Sequence, residues 1–206
     1  MESVFEPSSQ HGDVDSKIVA ALERLSRVFR LLLREKALEH DLSPIQAQFL
    51  VHLLFRDVEL RRVSRIAEEF GLTRATVSDA VGSLEKKGLI YRDPWPGDKR
   101  VVTLRLTPVG KELAIELSTW ANAVKEHLGS SSPEEKEVVI RFLMQLIASL
   151  QRSGIITVSR MCVTCRFFRP DAHPGSDSPH HCALLDAPLA GSDLRIDCPE
   201  HELAVR

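Results

Sequence analysis

The first 150 residues contain apolar positions that recur at helical spacing, whereas the last 50 do not. From Ser16 to about His40 the apolar residues recur every three or four positions and predict one long helix with a buried stripe. The residues of this stripe are Ile18, Leu22, Leu25, Phe29 and Leu32. Asp15 is the expected cap of the helix, and residues 1–14, which lack any such period, are predicted to form a flexible arm.

Three later segments also show signals for helix starts. In each, a Ser or Thr precedes a Pro, which suits the first turn, and the predicted helices span 43–55, 107–128 and 132–152. The last two carry apolar stripes formed by Leu113, Leu117, Trp120 and Val124, and by Val139, Phe142, Leu146 and Leu150. Such stripes form a core or an interface between subunits, and the sequence does not divide the two.

Two helices between these segments are joined by a very short connection. The first is predicted over Arg62–Phe70 and ends at Gly71, a residue suited to a left-handed conformation. Thr73 caps the second, "RATVSDAVGSLEKKG", which stops at Gly88. Two helices linked by "GLT" form a helix-turn-helix.

A β-hairpin is predicted directly after the helix-turn-helix. The segments "LIYR" and "VVTLRL" are rich in β-branched and aromatic residues and flank "DPWPGDKR". This order predicts a mainly α fold, a winged helix-turn-helix with a two-stranded wing. The second helix of such a motif enters the major groove of DNA.

The second helix has one apolar and one polar face. Val77, Val81 and Leu84 share a face and are expected to pack inward. The residues expected to meet DNA are Thr73, Arg74, Ala75, Thr76, Ser78 and Asp79. Among them the Arg74 side chain has the donor geometry that reads guanine, and the two threonines are placed to contact phosphates.

Charge is distributed in agreement with this placement. The chain of 206 residues has a net charge of -2, but residues 61–105 hold ten Lys/Arg against six Asp/Glu. A locally basic segment in a nearly neutral chain favours DNA binding by counterion release. A solvated helical surface is the other interpretation of the charge alone.

Several other classes of protein are disfavoured. The N-terminus has no apolar run after a positive start, and no apolar run is long enough to span a bilayer, so a cytoplasmic location is expected. The chain contains no Gly-rich nucleotide loop, no His-Glu metalloprotease helix and no serine nucleophile elbow, and it is not expected to be an enzyme.

The segment "VSRIAEEFGLTRATVSDAVGSLEKKGLIYRDPWPGDKRVVTLRLTPVGKELA" resembles the core of MarR-family transcriptional regulators. The resemblance covers about residues 15–152 and includes the wing motif Asp98-Lys99-Arg100 and the "LTPVG" that follows the hairpin. It implies that Asp98 orients Arg100, which enters the minor groove of DNA. A narrow minor groove attracts arginine.

The same resemblance implies a homodimer made by the first and last helices of residues 15–152. A twofold dimer matches a pseudo-palindromic operator in double-stranded DNA, with half-sites about one helical turn apart. The expected activity is repression of transcription.

All four cysteines of the chain lie after this region, in a tail rich in proline and aspartate. Cys162 and Cys165 form a CxxC pair, Cys182 follows after sixteen residues and Cys198 after fifteen more. Clustered thiols in a reducing compartment are more often metal ligands or redox thiols than disulfides. The tail is too small to hold a core alone, so a metal would help it to fold.

Three chemistries fit these thiols. The segment from Cys162 to Cys198 resembles the cluster-binding segment of high-potential iron–sulfur proteins, and also the small cluster-bearing subunits of some glycyl-radical enzymes, which implies a [4Fe-4S] cluster. Structural zinc is the second, held by four cysteines or by three with a histidine from His180, His181 or His201. A thiol switch that forms disulfides is the third. We place the cluster first.

Together these features predict three parts: a flexible arm over 1–14, a DNA-binding and dimerisation domain over 15–153, and a metal-binding module over 154–206. The expected function is a dimeric transcription regulator whose DNA affinity responds to redox state or metal through the tail, with coupling through the helix at 132–152. The alternatives are a MarR-type regulator that senses a small molecule and has a purely structural zinc tail, and an electron-transfer protein.

Overall fold

The computed structural model describes residues 3–95 and 98–204, and only the backbone of Lys99. Contacts between residues divide the chain into two compact units. The first comprises residues 1–63 and 75–127, and the second comprises residues 64–74 and 128–206. None of the helices in the described part of the chain is long and apolar enough to cross a membrane.

The first unit begins with helices α1 (Ser9–Gly12), α2 (Val14–Leu38) and α3 (Pro44–Phe55). The predicted arm is therefore partly helical. Asp13, and not Asp15, caps α2, because its carboxylate accepts the backbone N–H groups of Asp15 and Ser16. Asp15 lies in the first turn, where a negative charge is favourable.

The predicted stripe of α2 is only partly buried in the single chain. Its residues Leu25 and Phe29 are exposed, whereas the buried positions of α2 include Ala20, Leu33 and Ala37. The stripe is therefore not continuously buried within the single chain, and its burial by a second subunit stays a prediction. The large apolar residues of α2 that are exposed are Val14, Val19, Leu25, Val28, Phe29, Leu31 and Leu38.

Helix α3 begins as predicted, with Ser43 and Gln46 forming a reciprocal capping box and Pro44 in the first turn. Its apolar residues form the centre of the first unit. Phe49, Leu50 and Leu53 are almost completely buried.

The helix-turn-helix is formed by α4 (Val63–Phe70) and α5 (Arg74–Lys86). Gly71 and Gly88 follow the two helices with positive φ angles of 61° and 68°, so both C-terminal predictions are confirmed. A two-stranded antiparallel wing comes next, with β1 (Ile90–Trp95) paired to β2 (Asp98–Leu106). Strand β2 also bonds to the segment before α4, since the Leu104 N–H donates to the carbonyl of Arg61 at 2.8 Å.

The helix predicted over 107–128 is two helices, α6 (Pro108–Leu117) and α7 (Asn122–His127). The hydroxyl groups of Ser118 and Thr119 donate to the backbone carbonyls three residues earlier, at 2.7 and 2.8 Å. Such bonds compete with a continuing helix, and the chain turns at this point. The four residues of the predicted stripe remain buried or half-buried.

The second unit contains α8 (Pro133–Arg152), which begins with a capping box between Ser132 and Glu135, and the tail. The tail forms a small antiparallel sheet of β3 (Phe168–Arg169), β4 (His180–Cys182) and β5 (Ala187–Leu189). Helix α8 and the tail share a core. Its members are Met144, Ala148 and Met161, packed by Ile140, Ile147, Val163 and Leu194.

The buried face of α8 is not its predicted stripe. Val139 and Phe142 are exposed in the single chain, at 54% and 42%, while Met144 and Ala148 pack on the tail. One helix thus buries one face within the chain and leaves a second apolar face open.

Candidate functional sites: a polar helix face with a wing, and a four-cysteine cavity

Helix α5 presents its polar residues outward. Val77, Val81 and Leu84 are completely buried, as the sequence predicted. All the residues predicted to meet DNA on this helix and its cap are exposed: Thr73, Arg74, Ala75, Thr76, Ser78 and Asp79. The helix therefore exposes a polar face on a buried apolar base.

The wing carries the predicted Asp98 and Arg100 pair. Two guanidinium nitrogens of Arg100, Nε and Nη2, donate to the two carboxylate oxygens of Asp98 at 3.1 and 3.3 Å, and the Arg100 backbone N–H adds a third bond at 3.0 Å. These bonds, the side-chain bond foremost, lower the pKa of Asp98. Arg100 is nevertheless 91% exposed, so its charge is held in place but open to solvent. The side chain of Lys99, also predicted to contact DNA, lies outside the described residues.

The wing is also supported by a contact that the sequence did not indicate. The guanidinium of Arg62 lies over the ring of Trp95, 5.2 Å from its centroid. This cation–π contact brings a positive charge to the wing. No spacing rule links these residues, because only the fold brings them together.

The four cysteines line one cavity of about 250 Å³. Its other walls are mainly apolar: Phe167, Phe168, Leu184, Leu185 and Leu189, with Asp193, Arg195 and Glu200 at polar positions. Within the described residues, no three of the thiol sulfurs lie within 4.8 Å of one another. The thiols thus surround a space and do not converge on one point.

Short backbone contacts position these cysteines. The CxxC pair belongs to a single 3₁₀ turn, where the Cys165 N–H donates to the Cys162 carbonyl at 2.9 Å. Cys182 ends β4 opposite Phe168. The Cys198 N–H donates to the carbonyl of Arg160 at 2.9 Å. Residues far apart in sequence are therefore held around the same cavity by backbone hydrogen bonds.

Arg195 contacts two of the four thiols. Its backbone N–H donates to the sulfur of Cys162 at 3.2 Å, and its Nη1 lies 3.7 Å from the sulfur of Cys198. The Cys198 thiol donates to the carboxylate of Glu200 at 3.2 Å. Burial raises the pKa of Cys162, and burial together with the bond to Glu200 raises that of Cys198. Binding of a metal would replace the thiol protons.

The three candidate histidines make other contacts. His180 Nδ1 accepts the backbone N–H of Asp171, and His181 Nδ1 lies 3.2 Å from His173 Nε2. His201 Nε2 lies 2.9 Å from the Thr164 hydroxyl, and burial lowers the pKa of this imidazole. Among the described residues that line the cavity, the donors of metal-ligand type are thiols and carboxylates.

A second group of possible ligands lies in the first unit. The ligand atoms of Glu39, His40 and Glu116 lie within 4.8 Å of one another. The ammonium of Lys36, however, binds Glu39 at 2.7 Å and Glu116 at 2.8 Å. A cation of the protein already pairs with both carboxylates, so we interpret this group as a surface ion-pair network.

A helix-turn-helix followed by a two-stranded wing defines the winged-helix class. Residues 40–101 match the model of the MarR family. The chain is similar to Staphylococcus aureus MepR in its DNA-binding conformation, with 26% identity, a TM-score of 0.57 and coverage of 65% of this chain and 98% of that one. It is also similar to the S. aureus MepR–DNA complex, with 26% identity, a TM-score of 0.55 and coverage of 64% and 96%.

These findings support the MarR-type winged helix predicted from the sequence. A further MepR structure is described as that of a transcription regulator of the multidrug efflux pump MepA, with 25% identity, a TM-score of 0.50 and coverage of 64% and 96%. The family match at 40–101 ends well before the first cysteine. The iron–sulfur resemblance of the tail stays a prediction.

Proposed function

We propose that this protein is a dimeric, sequence-specific DNA-binding transcription regulator that acts as a repressor. The observation that carries the proposal is the polar face of α5, exposed above completely buried Val77, Val81 and Leu84. Arg100, which is held by Asp98 but exposed to solvent, supplies the contact between the wing and DNA. Similarity to MepR in a DNA complex supports the same use of these elements.

The exposed apolar faces of α2 and α8 support the homodimer. Phe29 and Leu31 of α2, and Val139 and Phe142 of α8, are exposed in the single chain. Large apolar side chains gathered on helices mark an interaction surface. We propose that a second copy of the chain covers these faces. The dimer would then present two α5 helices to a pseudo-palindromic operator.

DNA binding is tested by selecting fragments of genomic DNA with the purified protein and measuring their affinity by fluorescence anisotropy. Replacing Arg74 by Ala should weaken binding by about 1–3 kcal/mol and relax specificity at one base pair. Arg141→Ala, an exposed arginine of α8, is the control and should keep the affinity. Failure to select any sequence would overturn the proposal.

We further propose that the tail holds a [4Fe-4S] cluster on Cys162, Cys165, Cys182 and Cys198. A single zinc ion with Zn–S bonds near 2.3 Å brings its four sulfurs to within about 3.8 Å of one another. A cavity of about 250 Å³ among the thiols suits a larger group. Its apolar wall would shield a cluster from water, which tunes its reduction potential.

The cofactor is tested by purifying the protein without oxygen and measuring its visible spectrum together with iron, zinc and sulfide. About four irons and four sulfides per chain, with broad absorption near roughly 400 nm, are expected. Cys182→Ser should reduce the iron and sulfide contents, while Ser178→Ala in the same tail should not. A colourless protein with about one zinc per chain would instead support structural zinc or a zinc-linked thiol switch.

A further inference from the structure

The tail contacts the first helix of the helix-turn-helix through an ion pair. The Nη1 of Arg160 lies 2.8 Å from the Oε2 of Glu69, in the last turn of α4. Both side chains are largely buried, at 18% and 17% exposure. Ion pairs removed from solvent are less screened than surface pairs and are sensitive to geometry.

A second contact lies beside this pair. The hydroxyl of Thr157 donates to the backbone carbonyl of Glu68 at 3.2 Å. The carbonyls in the last turn of a helix lack partners within the helix, and that of Glu68 accepts both the Gly71 N–H at 3.4 Å and the Thr157 hydroxyl. Two neighbouring residues of α4 are thus bound by one short segment, residues 157–160.

The same segment is bonded to the cysteine cavity. The carbonyl of Arg160 accepts the N–H of Cys198 at 2.9 Å, and Arg160 pairs with Asp197 in a parallel bridge. The Arg160 guanidinium lies 4.0 Å from the Asp197 carboxylate. One residue therefore binds α4 with its side chain and the fourth cysteine with its backbone.

We propose that Arg160 is the positioning residue that couples the state of the four-cysteine site to α4. The inference rests on the proposed function, because it gives the regulation of the same DNA-binding motif. Binding of the proposed cluster to the four cysteines fixes Cys198. Through one hydrogen bond it also fixes the backbone of Arg160. The Glu69 pair then fixes the last turn of α4, which leads through Gly71 into α5.

This route differs from the predicted one through α8. The core shared by Met144, Ala148 and Met161 joins α8 to the tail by apolar packing. The Arg160 ion pair and the Thr157 hydrogen bond lead to α4 without passing through α8. The two routes therefore differ in the substitutions that should uncouple the cysteine site from DNA binding. The first predicts an effect in the α8 core and the second an effect at Arg160 and Glu69.

The experiment compares the full-length protein reconstituted with iron and sulfide and the same protein after removal of the metal. Operator affinity is measured for both forms, and the ratio reports the coupling, expected to be on the order of 5- to 150-fold in the unmodified protein. Arg160→Gln and Glu69→Gln should bring the ratio close to one at unchanged iron content. The exchanged pair Arg160→Glu with Glu69→Arg should recover part of it.

A matched control is available in the same tail. Arg166 pairs with Glu202 at 3.0 Å, but both side chains are more than half exposed. Arg166→Gln removes the same charge next to Cys165 and should keep the coupling ratio. Hydrogen exchange provides a second measurement, since loading should slow the amides of α4 in the unmodified protein but not in Glu69→Gln.

The outcomes separate the two proposals. A Glu69→Gln variant that contains full iron and keeps the original ratio would overturn the role of the pair while leaving the proposed function intact. Because Glu69 lies outside the tail, this variant decides the question even if Arg160→Gln fails to hold iron. A ratio of one in the unmodified protein would overturn both the regulation and the coupling, and loss of all DNA binding would overturn the function.

Discussion

Arg100 donates from its Nε and Nη2 atoms to both carboxylate oxygens of Asp98 while remaining almost fully exposed. The pair lies two residues apart on the wing strand, so it restricts the arginine without burying it. An exposed pair of this kind adds little to stability. Its value lies in holding the guanidinium in one orientation.

Replacing Arg100 by Ala should therefore weaken operator binding by about 1–3 kcal/mol and reduce the slope of log affinity against log salt concentration by about one. Asp98→Ala should weaken operator binding less than Arg100→Ala does. It should keep the salt slope, because the arginine charge remains. Anisotropy titrations at several salt concentrations measure both. Equal losses of slope in the two variants would contradict a positioning role for Asp98.

Gly110 should not accept a side chain. A Cβ at this position would overlap the carbonyl oxygen of Leu89, which also accepts the N–H of Thr107 at 3.0 Å. Gly110→Ala is expected to destabilise the protein by about 1–3 kcal/mol or more, since backbone atoms must move. Thermal unfolding followed by circular dichroism measures the effect.

Gly82 provides the control for this substitution. It lies within α5, and a Cβ there would meet nothing within 4 Å. Gly82→Ala should be neutral or stabilising, by up to about 1 kcal/mol, because alanine loses less backbone entropy in a helix. Equal destabilisation by both substitutions would show that the Leu89 contact is not the cause.

Phe142 should contribute to the proposed dimer. It is 42% exposed on the face of α8 that does not pack on the tail. Phe142→Asp should shift the protein toward monomer in sedimentation analysis, because an unpaired charge would be buried at the interface. Phe55→Asp, at an exposed phenylalanine that ends α3, should leave the mass unchanged. Unaltered mass in both variants would place the interface elsewhere.

Removal of the proposed metal group should loosen the tail and spare the first unit. The strands of the tail are only two or three residues long, and such small modules depend on cross-links such as a metal or disulfides. Hydrogen exchange is expected to increase over residues 161–203 and to stay unchanged in α3. Equal protection of the tail with and without metal would show that its packing on α8 suffices.

The sequence determined the elements that depend on neighbours in the chain. The capping boxes at Ser43 and Ser132 join residues three positions apart, and the glycines after α4 and α5 supply positive φ angles that other residues adopt rarely. The buried side of α5 followed from helical spacing. The wing motif is equally local, since Asp98 and Arg100 are almost adjacent.

Only the tertiary structure decided which apolar faces are covered and which distant residues meet. Helical spacing identified the apolar positions of α2 and α8 but not the face that packs within the chain, since both faces are apolar. Thr157 meets Glu68 across 89 positions of sequence, and Arg160 meets Glu69 beside it. No periodicity encodes such pairs, because they form only when the chain folds back on itself.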